Sequence, residues 1–162
     1  LVVHSRSTVE CSAERIIEIN RDLEKRAEWD QNFLVGEVKK TLSDKVEILY
    51  LKTKKIAMVA LEPSLAVFLE DIPKEKSPTG NKIIIAAAKS LDLDEYPPTE
   101  GAVRAHSHLT GYYIEEISPN KCNVHFLAES DFKISMFIAK QVAPKSSNYS
   151  NWLREYINKQ QQ

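Results

Sequence analysis

The chain is poor in cysteine and has no recognisable leader. Cys11 and Cys122 are the two cysteines among 162 residues. They could pair, but a secreted disulfide framework normally contains more cysteines. No signal peptide begins the sequence, which starts at Leu1 rather than at Met. We therefore expect a domain cut from a longer protein, in a reducing intracellular compartment.

Long apolar runs and an excess of one charge are also missing. No apolar run approaches the roughly 20 residues of a transmembrane helix. Lys and Arg number 22 against 23 Asp and Glu, a net charge of −1, so no overall positive field attracts a phosphate backbone. Nucleic acid is not an expected partner. With 43% hydrophobic and 28% charged residues, we expect one domain over residues 1–162, large enough to tolerate an internal void.

Catalytic motifs are lacking as well. The sequence has no nucleophile elbow, no Gly-rich phosphate loop and no cysteine pairs at zinc spacing. His106 and His108 lie two apart in a predicted strand, so they face one side and could supply two metal ligands. Because no third ligand lies nearby in sequence, a structural or surface role is favoured. We expect neither an enzyme nor a cofactor.

The N-terminal segment reads as a strand followed by a helix. Residues Leu1–Glu10 alternate loosely between apolar and polar. Ser12 is placed to cap the helix, and Glu14 in its first turn opposes the helix dipole. The charged run Arg21–Arg26 is typical of a solvated helical face, and Trp29 anchors the end of the segment. The predicted buried face consists of Ile16, Ile17, Ile19 and Leu23.

From residue 32 onward, the apolar period changes to two, which indicates strands. Polar segments rich in proline and glycine predict loops at Pro73–Asn81 and Asp92–Gly101. The most extensive feature is a hairpin over Val103–Asp131 that turns at Ser118–Asn120. Strands are also predicted at Phe33–Leu42, Val46–Thr53, Leu65–Glu70 and Lys82–Ser90.

The C-terminal segment carries one broad apolar stripe at helical spacing. Pro144 interrupts it, so we expect a kink or two helices, the second capped by Ser146 or Ser147. A helix laid over a curved antiparallel sheet can enclose a cavity, and this α+β arrangement is the predicted fold. The stripe consists of Phe137, Ile138, Val142, Tyr149, Trp152, Leu153, Tyr156 and Ile157.

Several segments resemble one family in the order they occur. Arg26-Ala27-Glu28-Trp29-Asp30 resembles the Arg-x-x-Trp-Asp signature of START (StAR-related lipid transfer) domains, which belong to the helix-grip, or Bet v 1-like, superfamily. The other matches are Gly101–Ala105 with Gly111–Glu115, Cys122–Phe126, and Leu153–Ile157, which is similar to the closing Leu-Arg-x-Tyr-Leu. Together they run from about Val3 to Ile157.

The chain also departs from this pattern. Ser64-Leu65-Ala66 replaces the family's Arg-Asp-Phe, and Lys133-Ile134-Ser135-Met136 stands where Gly-Trp-x-Pro is usual. The family's extra helix and two strands ahead of Leu1–Glu10 are upstream or absent. The usual head-group chemistry is therefore changed, and the lipid species does not follow from the resemblance.

The resemblance implies a tunnel under the C-terminal helix that holds one lipid, a phospholipid or a sterol, and exchanges it with a membrane without catalysis. Alignment with sterol- and ceramide-binding members places Tyr50, Glu70 and His108 at polar tunnel positions. Glu70 and Arg104 are the charges most worth testing, although a cross-strand or exposed ion pair is the simpler interpretation. With the helix residues Phe137, Val142 and Tyr149, these residues form the predicted lipid site.

The resemblance further implies a cytoplasmic monomer, peripheral to membranes and in transient contact with their surface. Two alternatives stay open at this point. The fold could have a filled cavity and serve as an interaction module, or it could be a small-molecule cyclase or hydrolase of the wider superfamily.

Overall fold

The structure is a computed structural model and describes residues 2–55, 60–131, 135, 137, 139–141, 144 and 147–162. Helix α1 spans Ala13–Arg21, a 3₁₀ turn spans Arg26–Glu28, and the C-terminal helix spans Tyr149–Gln160. No helix in the described part is long and apolar enough to cross a membrane. The strands are β1 (Val2–Val9), β2 (Phe33–Ser43), β3 (Val46–Thr53), β4 (Ala60–Leu61), β5 (Ser64–Ile72), β6 (Ile83–Ser90), β7 (Ala102–Val103), β8 (His106–Ser118) and β9 (Lys121–Asp131).

A seven-stranded sheet forms the body of the molecule. Its strand order is β1-β9-β8-β6-β5-β3-β2, and each neighbouring pair is antiparallel. The C-terminal helix contacts β1 and β9 and buries Tyr149, Leu153 and Ile157. Together with α1 and the β8–β9 hairpin, the helix encloses the hydrophobic core. The predicted α+β helix-grip fold is confirmed.

Helix α1 begins as predicted but ends earlier. Ser12 Oγ accepts a hydrogen bond from Arg15 N at 3.3 Å, and the helix stops at Arg21. Leu23 and the rest of the charged run lie beyond its end, so the prediction of one solvated helical face was wrong. Arg26 is largely buried, with 14% of its side chain exposed. Its ion pair with Asp30, four residues later, compensates for the loss of contact with water.

The long hairpin also starts later than predicted. β8 begins at His106, whereas Ala102–Val103 forms the separate strand β7, which pairs in parallel with β4. Arg104 lies between the two strands, and its guanidinium donates to Ser64 Oγ at 2.6 Å and to Glu62 O at 3.2 Å. These bonds hold this stretch against β5, outside the β8 ladder.

The C-terminal helix is not capped as predicted. Asn148 occupies the N-cap position without a side-chain cap, and Ser147 Oγ donates instead to the carbonyl of Pro144 at 2.7 Å. Ser146, and residues 142, 143 and 145 around the kink expected at Pro144, lie outside the described residues. Cys11 and Cys122 are free and buried, with Cys122 Sγ 3.2 Å from the carbonyl oxygen of Cys11.

Gly111 is the position in β8 where the sheet leaves no room for a side chain. A Cβ there would lie 2.0 Å from the carbonyl oxygen of Ala86 on β6. We expect Gly111→Ala to lower the free energy of unfolding by about 3 kcal/mol in urea denaturation, because the strand must shift. Gly80→Ala, with open space but a φ of +74°, should cost only about 1 kcal/mol. Equal losses at the two positions would contradict this account.

Candidate functional site

A cavity of about 250 Å³ lies between the inner face of the sheet and the helices. Inward-facing residues of the strands line it, at alternate positions in β3, β5 and β6, because successive side chains point to opposite faces. The small side chains of Ala86, Ala88 and Ala128 leave the space open. The apolar lining includes Val3, Ile17, Leu23, Val38, Leu49, Leu51, Leu61, Pro63, Leu65, Val67, Leu69 and Phe126.

A buried polar cluster, the Arg26 cluster, forms part of the wall. Arg26 Nε lies 3.0 Å from Asp30 Oδ2, and Arg26 Nη2 donates to Tyr149 Oη at 2.8 Å. Tyr149 Oη donates in turn to Asn20 Oδ1 at 3.2 Å. Arg26, Asn20, Tyr149 and Tyr112 all line the cavity. The cluster therefore presents a charge and several hydrogen-bonding groups to a largely apolar chamber.

Aromatic rings surround the guanidinium of Arg26. Its Cζ lies 5.3 to 5.8 Å from the ring centres of Phe33, Tyr149 and Trp29, within cation–π range. Burial alone lowers the pKa of Arg26, but Tyr149, Tyr112 and Asp30 raise it above its ordinary value. Burial also raises the pKa of Tyr112 and Tyr149, although Arg26 opposes this. The site thus holds a permanent cation among neutral phenols.

A second polar cluster, centred on Glu62, lies away from the cavity lining. The Glu62 side chain is fully buried, with Lys52 Nζ 2.6 Å from its Oε1 and Thr99 N donating to its Oε2 at 2.7 Å. Tyr50 Oη also donates to Glu62. Burial alone raises the pKa of Glu62, but the bonds from Lys52, Thr99 and Tyr50 lower it to about 2. This cluster joins β3 to the segment before β7.

None of the polar residues predicted on the strands, Tyr50, Glu70, Arg104 and His108, lines the cavity. Tyr50 bonds to Glu62, and its pKa is raised to about 12 by burial and by that carboxylate. Glu70 is exposed and pairs with Lys45 at 3.3 Å rather than with Arg104. Tyr50 and Glu70 alternate with the lining residues of β3 and β5, so they lie on the outer face of the sheet.

The remaining predicted residues are scattered. Tyr149 lines the cavity, whereas Phe137 is 74% exposed and Val142 lies outside the described residues. His108 is exposed, with its ring 5.0 Å from that of His106. No group of three His, Cys, Asp or Glu that could hold a metal occurs in the part of the chain described.

Sequence reasoning missed Arg26, Asp30, Asn20 and Tyr112. The sequence did contain a signal for Arg26 and Asp30. They are four residues apart and flank Trp29, and this spacing allows an ion pair on one side of a helical turn. Leu49 and Leu51 in β3 also marked the apolar face, opposite Tyr50.

The family model of the START domain matches residues 4–147. Human START domain-containing protein 10 is 27% identical over 150 residues, which cover 85% of this chain and 44% of that protein. The chain thus spans less than half the length of this curated relative.

Two solved structures share the fold. Human StAR-related lipid transfer protein 5 superposes with a TM-score of 0.84 at 17% identity, covering 97% of this chain and 75% of that one. Human STARD10 gives 0.83 at 20% identity, covering 98% of this chain and 63% of that one.

Removing one partner of the Arg26 cluster should be costly. Asp30→Ala leaves a buried guanidinium without its counter-ion, so we expect the free energy of unfolding to fall by about 3–5 kcal/mol. Arg15→Ala, which breaks the exposed pair with Glu18 at 3.0 Å, should cost less than about 1 kcal/mol. Urea denaturation measures both. Similar losses of unfolding free energy in the two variants would show that the buried Arg26–Asp30 pair stabilises the fold no more than an exposed pair does.

The lowered pKa of Glu62 predicts a loss of stability in acid. Its ordinary pKa is 4.5 and its folded pKa about 2, so its ionisation stabilises the fold above pH 4.5, and this contribution is lost as the pH falls towards 2. We expect wild type to lose more stability than Glu62→Gln over this range in urea titrations at stepped pH. Glu70→Gln, at an exposed site, should follow wild type. Parallel curves for wild type and Glu62→Gln would refute the assignment.

Proposed function

Because the chain belongs to the START domain family, we propose that it binds one lipid, a phospholipid or a sterol, in its cavity and carries it between membranes without catalysing a reaction. The proposal covers residues 1–162 as one lipid-binding domain that works as a monomer and contacts membranes transiently. The observation that carries it is the apolar chamber of about 250 Å³ between sheet and helices.

Transfer free energy explains why such a chamber is useful. Each buried methylene gains about 0.8 kcal/mol relative to water, so an acyl chain does not cross the aqueous phase unshielded. A cavity walled by Leu49, Leu65 and Leu69 offers the chain an apolar environment comparable with the bilayer interior. Exchange between the two environments then needs no covalent step and no energy source.

The size of the chamber limits the cargo in the present state. Small-molecule sites usually have volumes of about 300–1,000 Å³, and this one has about 250 Å³. A single acyl chain therefore needs less rearrangement than a lipid with two chains. Binding of a phospholipid or a sterol requires the walls to move apart.

The C-terminal helix closes the tunnel along one side. Tyr149, at its first turn, lines the cavity and stacks on Phe126 with ring centres 4.5 Å apart. The same residue bonds to Arg26, so the helix and the polar cluster are fixed together. We propose that this cluster receives the polar group of the lipid, since it brings a buried cation and several hydrogen-bonding groups together in a largely apolar chamber.

The open cavity argues against a filled interaction module. The enzyme alternative gains no support from the Arg26 cluster, because the groups of the cluster that line the cavity are a cation, an amide and phenols of raised pKa. The carboxylate of the cluster, Asp30, is paired with Arg26 and is not among the lining residues, so the cluster presents no general base to the cavity.

Lipid transfer between vesicles tests the proposal. Donor vesicles carry fluorescent phosphatidylcholine or cholesterol with a non-exchangeable quencher, and native mass spectrometry follows the protein-bound species. We expect the protein to accelerate transfer of at least one lipid and to show one lipid per chain. If the protein accelerates transfer of no lipid in a broad panel and carries no bound lipid, the proposal is refuted and the interaction-module alternative is favoured.

Filling the cavity should abolish binding without unfolding the protein. Ala86 lines the cavity, whereas its neighbour Ala87 lies on the opposite face of β6. We expect Ala86→Phe to reduce lipid bound in native mass spectrometry at least tenfold, and the matched control Ala87→Phe to leave it unchanged. Circular dichroism checks that both variants fold. Equal binding by the two variants would place the lipid elsewhere.

A further inference from the structure

Few of the described residues that line the cavity are exposed to solvent. Among the described lining residues, those classed as exposed are Arg21, Val38, Asp44 and Lys45. Arg21 is the last residue of α1, and the other three belong to β2 and its turn into β3. In the described part of the chain, the cavity therefore reaches the surface between the end of α1 and the β2–β3 hairpin. We call this opening the hairpin mouth.

An ion pair spans the hairpin mouth. Arg21 Nη2 lies 2.6 Å from Glu47 Oε1, with 49% and 18% of the two side chains exposed. Both residues line the cavity. Glu47 is fixed in the sheet, since its backbone pairs with Thr41 of β2 and Val67 of β5. Arg21 stands where α1 ends and the chain changes direction, so its side chain is the partner with more freedom to move.

An apolar path continues inward from this ion pair. Val38 is 42% exposed and also lines the cavity, so apolar surface is present at the rim as well as in the interior. Leu23 and Leu49 continue the lining behind the rim. A hydrocarbon chain entering here meets lining residues that are mainly apolar, with charged groups at the rim and at Arg26 in the cavity wall.

We propose that lipid chains pass through the hairpin mouth and that the Arg21–Glu47 pair holds it closed. This inference rests on the lipid-carrying function proposed above and adds the route. Partly exposed ion pairs contribute only about 0.2–1 kcal/mol, so the pair yields readily when a lipid arrives. During passage the polar head meets a rim with cations at Arg21 and Lys45 and anions at Asp44 and Glu47, before it reaches the Arg26 cluster.

A charge-reversal cycle tests the route. Arg21→Glu and Glu47→Arg each replace attraction by repulsion, whereas the double variant restores an ion pair of opposite polarity. The probe is NBD-labelled stearic acid, loaded on the protein and released to phosphatidylcholine vesicles in a stopped-flow experiment. Loss of an interaction near 1 kcal/mol corresponds to about fivefold faster release in each single variant. The double variant should return to within twofold of wild type.

Arg15→Glu provides the matched control. It reverses a charge in the same helix and breaks the pair with Glu18, but neither residue lines the cavity. We expect wild-type release from this variant. Thermal melting checks that all four variants are folded, and uptake of the apolar dye ANS provides a second rate through the same opening.

The outcomes separate the two proposals. If wild type does not bind NBD-stearate at equilibrium, the lipid-carrying function fails and the route fails with it. If wild type binds the probe but the single variants release it no faster than Arg15→Glu, only the route is refuted. A double variant as fast as the single variants would also refute it, since charge at the rim rather than the pair would then set the rate.

Discussion

The buried guanidinium of Arg26 is the group on which the rest of the arrangement depends. A charge removed from water is stable only with close partners, and Arg26 takes one from its own turn, Asp30, and another 123 positions away, Tyr149. The hydrogen bond from Arg26 to Tyr149, the first residue of the C-terminal helix, fixes where that helix begins relative to α1 and the sheet. The same requirement keeps part of the cavity wall polar, so that one end of a ligand is distinguished from the other.

The two faces of the sheet carry different kinds of side chain because successive residues of a strand point to opposite faces. The side chains of β3 and β5 that line the cavity are mainly aliphatic, with Glu47 and Thr53 as the polar members. The outward Tyr50, Lys52 and Ser64 take part in hydrogen bonds and ion pairs around Glu62 and Arg104. The outer cluster supports the segment before β8 without filling the chamber. A void inside the domain is tolerated because the stabilising contacts lie around it, in the core between α1, β8, β9 and the C-terminal helix.

The alternating patterns predicted the bounds of β2, β3, β5 and β6 to within one or two residues, since apolar and polar residues alternate along a half-buried strand. They did not show which parity faces the cavity, and it was the alignment with sterol- and ceramide-binding family members that placed Tyr50 and Glu70 inside. Local patterns also did not predict the separate strand β7, which depends on a parallel contact with β4 and on the distant partners of Arg104. Arg26 was read as solvated because its burial depends on Tyr149, far along the chain.

Photo-crosslinking tests the central claim, that a lipid occupies the chamber under the C-terminal helix, most directly. A fatty acid with a diazirine near the end of its chain is bound, illuminated and located by peptide mass spectrometry. The account predicts labels on inward residues such as Leu49, Leu65 and Ala86, and none on outward neighbours such as Tyr50 and Phe68. Labels distributed over the outer face, or equal labelling of adjacent inward and outward residues, would contradict it.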